Sequence, residues 1–426
     1  MKTIPTFYVL LGLLSLTLTL PSCVKDSCEA TVVYQGVDPV YAKPEEFRKP
    51  IEAKAPRDLE NPGKIYVYQN MLLINEREEG VHIIDNSDPA HPEPVAFLDI
   101  PGNADMAVRG NMLYADHYVD IVAIDITNPE QPQYAGRAED AIPHYGYTPD
   151  LGYLVRYDPL PITEEVDCGD YAGTQFMRGG TLFVDMAATE SANIAVDATG
   201  QAQDVGVGGS MARFTLAQGH LYVIDDSDLR VFALDRPEEP AKVNTVTIGW
   251  GIETIFPYGD KLFIGANSGM YIFDNSVPTA PEQLSVFRHA TACDPVIVDG
   301  HIAYVTLRDG LECQTFTNQL DVVDITDLTD PVLIKSFDMH NPHGLSKLGH
   351  ALYICENEQG VKVFDATDPA QAGSQQIGRM TGFQAYDIIT LQSNIDLAIV
   401  IGEDGLYQYD ISDPASPRRL SNLLSL

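Results

Sequence analysis

Short apolar runs of four to seven residues recur along the chain, and most are closed by an acid and a proline-containing turn. "VHIIDNSDP", "IVAIDITNP", "MYIFDNSVP", "VKVFDATDP" and "LYQYDISDP" are variants of one phrase. The runs are β-branched and bounded by Gly, Asn, Asp and Pro, which predicts strands; amphipathic helices would need runs of 10–15 residues. The closing acids are Asp85, Asp125, Asp235, Asp274, Asp324, Asp365 and Asp410. They recur about every 40 residues, except for a gap of 110 between Asp125 and Asp235.

A period near 40 built from short strands is that of a propeller blade. One unit shows why. "ADMAVRG" and "NMLYADH" read as two strands around a Gly-Asn turn, "DIVAIDI" as the third and "PQYAGRA" as the fourth. Five units carry Asp-x-Ser/Thr-x-Pro, where the carboxylate can accept bonds from turn amides and Pro stops the strand. The repeated acids therefore read as turn chemistry and not as catalytic acids. The prediction is an all-β chain, a seven-bladed β-propeller of four-stranded antiparallel blades spanning 63–426. Eight blades with one degenerate is the alternative. The single Trp250 argues against the WD40 class.

Two regions depart from the repeat. Residues 23–62, rich in Pro and charge, read as a tether and an extension packed on the first blade. Residues 138–210 read as a long insertion on a propeller face, where function often resides. Within it "GVGGS", 206–210, lacks a P-loop ending and reads as a flexible return into the third blade.

Charge changes the picture next. With 61 acids against 26 bases the net charge is −35, which excludes nucleic acid as a partner. The first residues look like an export signal: Lys2, then the apolar run Phe7–Leu20, then "PSC". The run is short for a spanning helix. "LPSC" resembles a bacterial lipobox, with 1–22 as the signal peptide and Cys23 as the lipid-attachment residue; ordinary secretion with Cys23 as a bystander is the other reading. "VKDSCE" resembles the signal that sends some lipoproteins of Gram-negative bacteria to the cell surface. Export implies a compartment where disulfides persist.

Candidate chemistry lies where first strands begin, around the central channel. These positions hold Asp105, Arg213, Glu253, Asp294, His343 and Asp387. Second-strand ends should join them: Glu76, His117, Asp226, Asn267, Arg308, Glu356 and Glu403. Such a funnel could hold a divalent cation such as calcium, or a basic or polyhydroxylated ligand; its other reading is a solvated channel mouth. His220, His301 and His350 each follow Gly and read as turn residues. His289, His340 and His343 could converge, yet no zinc spacing supports a metal. Cys293 and Cys313 fall on one face of one blade, a candidate disulfide closing a loop of about 21 residues that would add roughly 3 kcal/mol. Cys355 is the competing partner.

The third strand "LDVVDITDLTDP" resembles the repeat of the LVIVD-repeat lipoproteins, a β-propeller group. So do "PGNADMAV", "GWGIETIFPY", "CDPVIVDGHIAYVTLR" and "IGEDGLYQYD". The resemblance implies an exported, lipid-anchored propeller and brings no defined activity with it. The expected function is a non-enzymatic scaffold on the outer membrane, at the cell surface or on the periplasmic leaflet. It would bind a protein, peptide or glycan on the channel face. The alternative is a hydrolase or lyase using the acidic funnel with a divalent cation.

Overall fold

The seven apolar runs that lead to Glu76, His117, Asp226, Asn267, Arg308, Glu356 and Glu403 are strands, and each lies between two antiparallel neighbours. The computed structural model describes residues 29–144, 146–167, 192–193, 205–289, 295–308 and 318–424. Over these the chain is all-β, with one four-residue helix, Pro44–Phe47, and one 3-10 turn, Pro369–Gln371. Six four-stranded sheets and one seven-stranded sheet each contain a sequential up-and-down meander of four strands. The meanders span 62–99, 106–138, 214–247, 252–287, 296–338, 345–380 and 385–424.

Every meander interrupts its third-to-fourth strand pairing at one equivalent bulge, as between Ile83 and Ile84 or Val322 and Val323. Just beyond it lies the repeated turn. Asp85 Oδ1 accepts from the Ser87 amide and hydroxyl at 2.8 and 2.6 Å. Asp125, Asp324 and Asp365 do the same with Thr127, Thr326 and Thr367. Asp274 and Asp410 accept from Ser276 and Ser412. The recurring acids are thus consumed by their own turns. The third meander differs: Ala233, and not Asp235, occupies the equivalent place, because Ala233 pairs with His220 as Asp85 pairs with Met71.

A lone four-stranded sheet exposes two faces and cannot stand by itself. The sequence answers with a large residue at the third position of the second strand. Tyr114, Tyr222, Tyr304 and Tyr353 hold it in four meanders and are fully buried. Burying each is worth roughly 2–3 kcal/mol over exposure. Each meander also bonds to the next. Lys64 reaches Asp105, the Gly300 amide reaches the Tyr258 hydroxyl at 2.9 Å, and Thr306 Oγ1 reaches the His343 carbonyl at 2.8 Å. The Gly344 amide reaches the Tyr386 carbonyl at 2.9 Å. At the rim, fourth-strand side chains donate to carbonyls in the next meander's turn: Asn244 to Thr279, Ser285 to Leu328, Lys335 to Ala370 and Ser421 to Pro89. The last of these joins the seventh meander to the first.

Alternation of direction gives the meanders two ends. The front face carries first-strand starts, second-to-third turns and the connections between meanders. The back face carries the Asp turns.

The N-terminal extension adds to the first meander, where Glu52–Lys54 pairs with the fourth strand Glu93–Asp99. Glu29–Ala42 and Gly152–Asp167 are neighbours in a separate three-stranded sheet with Tyr147–Thr148. Of the described residues, 29–39 and 157–167 belong to one compact unit, and 40–144, 146–156, 192–193, 205–289, 295–308 and 318–424 belong to a second. The described residues of the 138–210 gap contribute this ribbon and the strand Val207–Ser210, and no further four-stranded meander.

Candidate functional site

Asp105, Arg213, Glu253, His343 and Asp387 all lie at first-strand starts on the front face. Asp294, Cys293, Cys313 and Cys23 lie outside the described residues. Among the described residues, no group of three or more His, Cys, Asp or Glu is placed to hold a metal ion.

Asp105 is buried and engaged in bonds between meanders. Its Oδ2 receives the Lys64 ammonium at 3.0 Å, the Arg213 amide at 2.5 Å and the Phe214 amide at 3.0 Å. One carboxylate thereby ties the first three meanders together. Burial lowers the pKa of the Lys64 ammonium, and the Asp105 charge opposes that. Behind it, Asp116 accepts from the amides of Ala104 and Asp105 and from the Asn103 side chain. Burial pushes the Asp116 carboxyl up to about 6 despite those amides. The Arg213 side chain turns away to Asp226, at 3.2 Å. Glu253 is half-buried at the start of strand Ile252–Tyr258.

His343 and Asp387 meet a different element. His343 Nδ1 lies 3.2 Å from the Arg308 guanidinium, and its ring lies 5.7 Å from Tyr386. Asp387 Oδ1 accepts from the Ser210 hydroxyl at 3.3 Å, and Ser210 Oγ also accepts from the Leu345 amide at 2.9 Å. Ser210 ends the segment read as a flexible return. That segment is instead a buried strand running through the ring. Val205 bridges to Arg109, the Gly206 amide donates to the Val108 carbonyl, and the Tyr66 hydroxyl donates to Gly206. Val207 and Gly208 pair with Val67 and Tyr66. Ala192–Asn193 pairs with Ser210 and Gly209. Beyond it the Ala212 carbonyl accepts from the Ile255 amide at 2.9 Å. Residues 205–213 therefore touch meanders one, two, four, six and seven. The glycines admit this path: a Cβ on Gly206 would stand 2.2 Å from the Tyr66 ring.

Acids at second-strand ends meet bases from the third strand. Glu76 and His82 form a buried pair at 2.8 Å, and Glu356 and Lys362 form its counterpart at 2.9 Å. In the third meander the pair is Asp225 and Arg230, at 2.8 Å. Asp225 thus takes the place expected for Asp226. Burial would raise the Glu76 carboxyl, but His82 and the Asn61 and Glu60 amides outweigh it and hold it below its usual range. The second meander puts His117 at this place. The Arg137 guanidinium lies 3.1 Å from His117 Nδ1 and 2.8 Å from Asp120. Arg48 from the N-terminal extension grips Asp120 with two bonds of 2.9 Å, and Phe47 packs edge-on against His117, Tyr118 and Tyr153. Nothing in the spacing of the sequence signalled this clamp.

Each meander is one sequence repeat, and two of them are recognised as such: residues 101–140 and 292–339 match the family model of the LVIVD repeat. The chain carries LVIVD repeats. Each matched span of this LVIVD-repeat chain brackets one meander, the second and the fifth. No curated protein matches it by sequence. Among solved structures it is similar to the computationally designed Ika8 protein, with TM-score 0.48, 10% identity, and coverage of 86% of this chain and 88% of that one. It is also similar to Kluyveromyces lactis Hsv2, with TM-score 0.47, 10% identity and coverage of 85% and 98%. Saccharomyces cerevisiae Sqt1 gives TM-score 0.47, 10% identity and coverage of 86% and 96%.

Proposed function

We propose that the chain is a seven-bladed β-propeller lipoprotein, anchored through Cys23 to the outer membrane, that works as a rigid, non-enzymatic platform for a partner protein or peptide. The observation that carries this reading is the bond from Ser210 to Asp387. It marks a channel occupied by the chain's own residues 205–213, with Asp105 and Asp387 committed to holding it and its neighbours. A funnel filled in this way offers a substrate little room. What remains accessible is the front rim, where Glu78, Glu358 and Glu403 are exposed on second-to-third turns. Loops on a rigid scaffold are where binding concentrates. Display at the cell surface follows the "VKDSCE" resemblance; the periplasmic leaflet is the other placement.

Site-specific photo-crosslinking in cells tests the platform. Crosslinkers at Glu78, Glu358 and Glu403 are expected to capture a partner protein. Those at Asn70, Asp260 and His350, exposed on the back face, are expected to capture none. Capture from the back positions alone, or from neither set, overturns the proposal.

A further inference from the structure

Gly249-Trp250-Gly251 connects the third meander to the fourth on the front face. Trp250 is the chain's one tryptophan and is 75% exposed, more than any other large apolar side chain described. Single exposed apolar residues are ordinary, but this one stands on a fixed base. The Ile248 and Gly249 amides donate to the Ser227 carbonyl at 2.9 and 3.2 Å, and the Gly251 amide donates to the Asp226 backbone carbonyl at 2.7 Å. The Asn267 amide closes the turn by donating to the Gly251 carbonyl at 2.8 Å. Gly251 has φ +83°, and a Cβ there would stand 2.2 Å from the Asn267 side chain. Gly249 has φ +145°. The backbone thus takes a shape that only glycine tolerates on both sides of the indole, and it is held there. An aromatic side chain presented this way loses little freedom on binding.

The surroundings define what would bind. Asp225, Asp226 and Asp228 flank the Ser227 carbonyl that holds the turn, and Glu253 follows the turn in sequence. These four carboxylates stand against the guanidiniums of Arg213, which bonds Asp226, and Arg230, which bonds Asp225 and Asp228. Asp226 keeps 38% of its side chain exposed. The Tyr271 hydroxyl lies 4.0 Å from where a Gly249 Cβ would stand, and 3.2 Å from Ser268 Oγ. An indole face in a net negative field attracts a cation, and a guanidinium can stack on the ring while bonding a carboxylate. The chain's charge of −35 works in the same direction by steering basic partners inward.

We propose that Trp250, with Asp226 beside it, is the docking point for an arginine or lysine side chain on a basic segment of the partner. This rests on the platform reading and names the chemistry of its contact. The single tryptophan supplies the test, because its emission reports this site alone. The full chain is titrated with a short arginine-containing peptide, with the same peptide carrying citrulline, and with an uncharged oligosaccharide. The expected result is a saturable emission change with the arginine peptide and none with the other two. By anisotropy of labelled peptide, Trp250→Ala and Asp226→Asn should each weaken binding about tenfold, with thermal unfolding unchanged. Caesium should quench Trp250 more than iodide does. A response to the oligosaccharide alone, a response to none of the three, or full affinity in both variants overturns the site. Front-face crosslinks that persist in such a case would leave the platform standing.

Discussion

Asn86 and Gln408, 322 residues apart in sequence, exchange two hydrogen bonds: Asn86 Nδ2 to Gln408 Oε1 at 2.9 Å, and Gln408 Nε2 to Asn86 Oδ1 at 2.7 Å. Both amides are buried. The pair joins the first meander to the last, so the ends of the repeat array hold each other. A reciprocal amide pair satisfies both partners only if both are present. Asn86→Ala leaves the Gln408 amide buried without this partner, at a cost of about 1–3 kcal/mol. The expected outcome is a lower urea midpoint, together with faster amide exchange across 385–424 than across 252–287. Uniform exchange would mean that closure does not depend on this pair.

The central strand makes a second prediction. Gly206 is packed so closely under Tyr66 that a larger residue must displace the ring or the strand. Gly206→Val should cost about 1–3 kcal/mol by overpacking. It should also expose 205–213 to limited proteolysis while the outer strands stay protected. Unchanged resistance to protease would mean that the strand is held by bonds other than those to the first meander.

The strands and turns were legible because their signals are local. An acid accepting from the amide two residues on is written in Asp-x-Ser/Thr, and a strand's apolar run is contiguous. Register was less legible. Asp235 resembled the other anchors, yet pairing places Ala233 at that position, since an acid two residues late satisfies the same pattern by eye. The same ambiguity made Asp226 stand for Asp225. The central strand was invisible for another reason: "VGGS" has no apolar run, and its burial comes wholly from meanders far away in sequence. Trp250 was legible only as a lone tryptophan, because its exposure depends on how 248–252 is held by the preceding turn.

The anchor is open to direct test. Cys23→Ala removes the proposed lipid-attachment residue and leaves the apolar run Phe7–Leu20 intact. Once the proposed signal is removed, the processed variant should be recovered in the soluble fraction, since its remaining sequence holds no run of about 18 apolar residues. Recovery of the processed variant, lacking Phe7–Leu20, with membranes at the wild-type level would reject lipidation at this residue.

His117 gives the N-terminal extension a pH dependence with a definite sign. Burial, reinforced by the charge of Arg137, pushes its pKa down to about 4 from the ordinary 6.5, while Asp120 opposes. The folded state therefore holds the imidazole neutral, accepting from Arg137, while the unfolded chain protonates near 6.5. Stability from this arrangement is complete above about pH 6.5 and is lost as pH falls from there toward 4. The first part to feel the loss should be Phe47 and Arg48, which pack on His117 and bond Asp120. Hydrogen exchange across 43–54 should accelerate between about pH 7 and pH 5 in the wild type. His117→Gln can still accept from Arg137 but does not titrate, so its exchange, corrected for the intrinsic rate, should stay flat over that range. An equal acceleration in both proteins would assign the effect to another group.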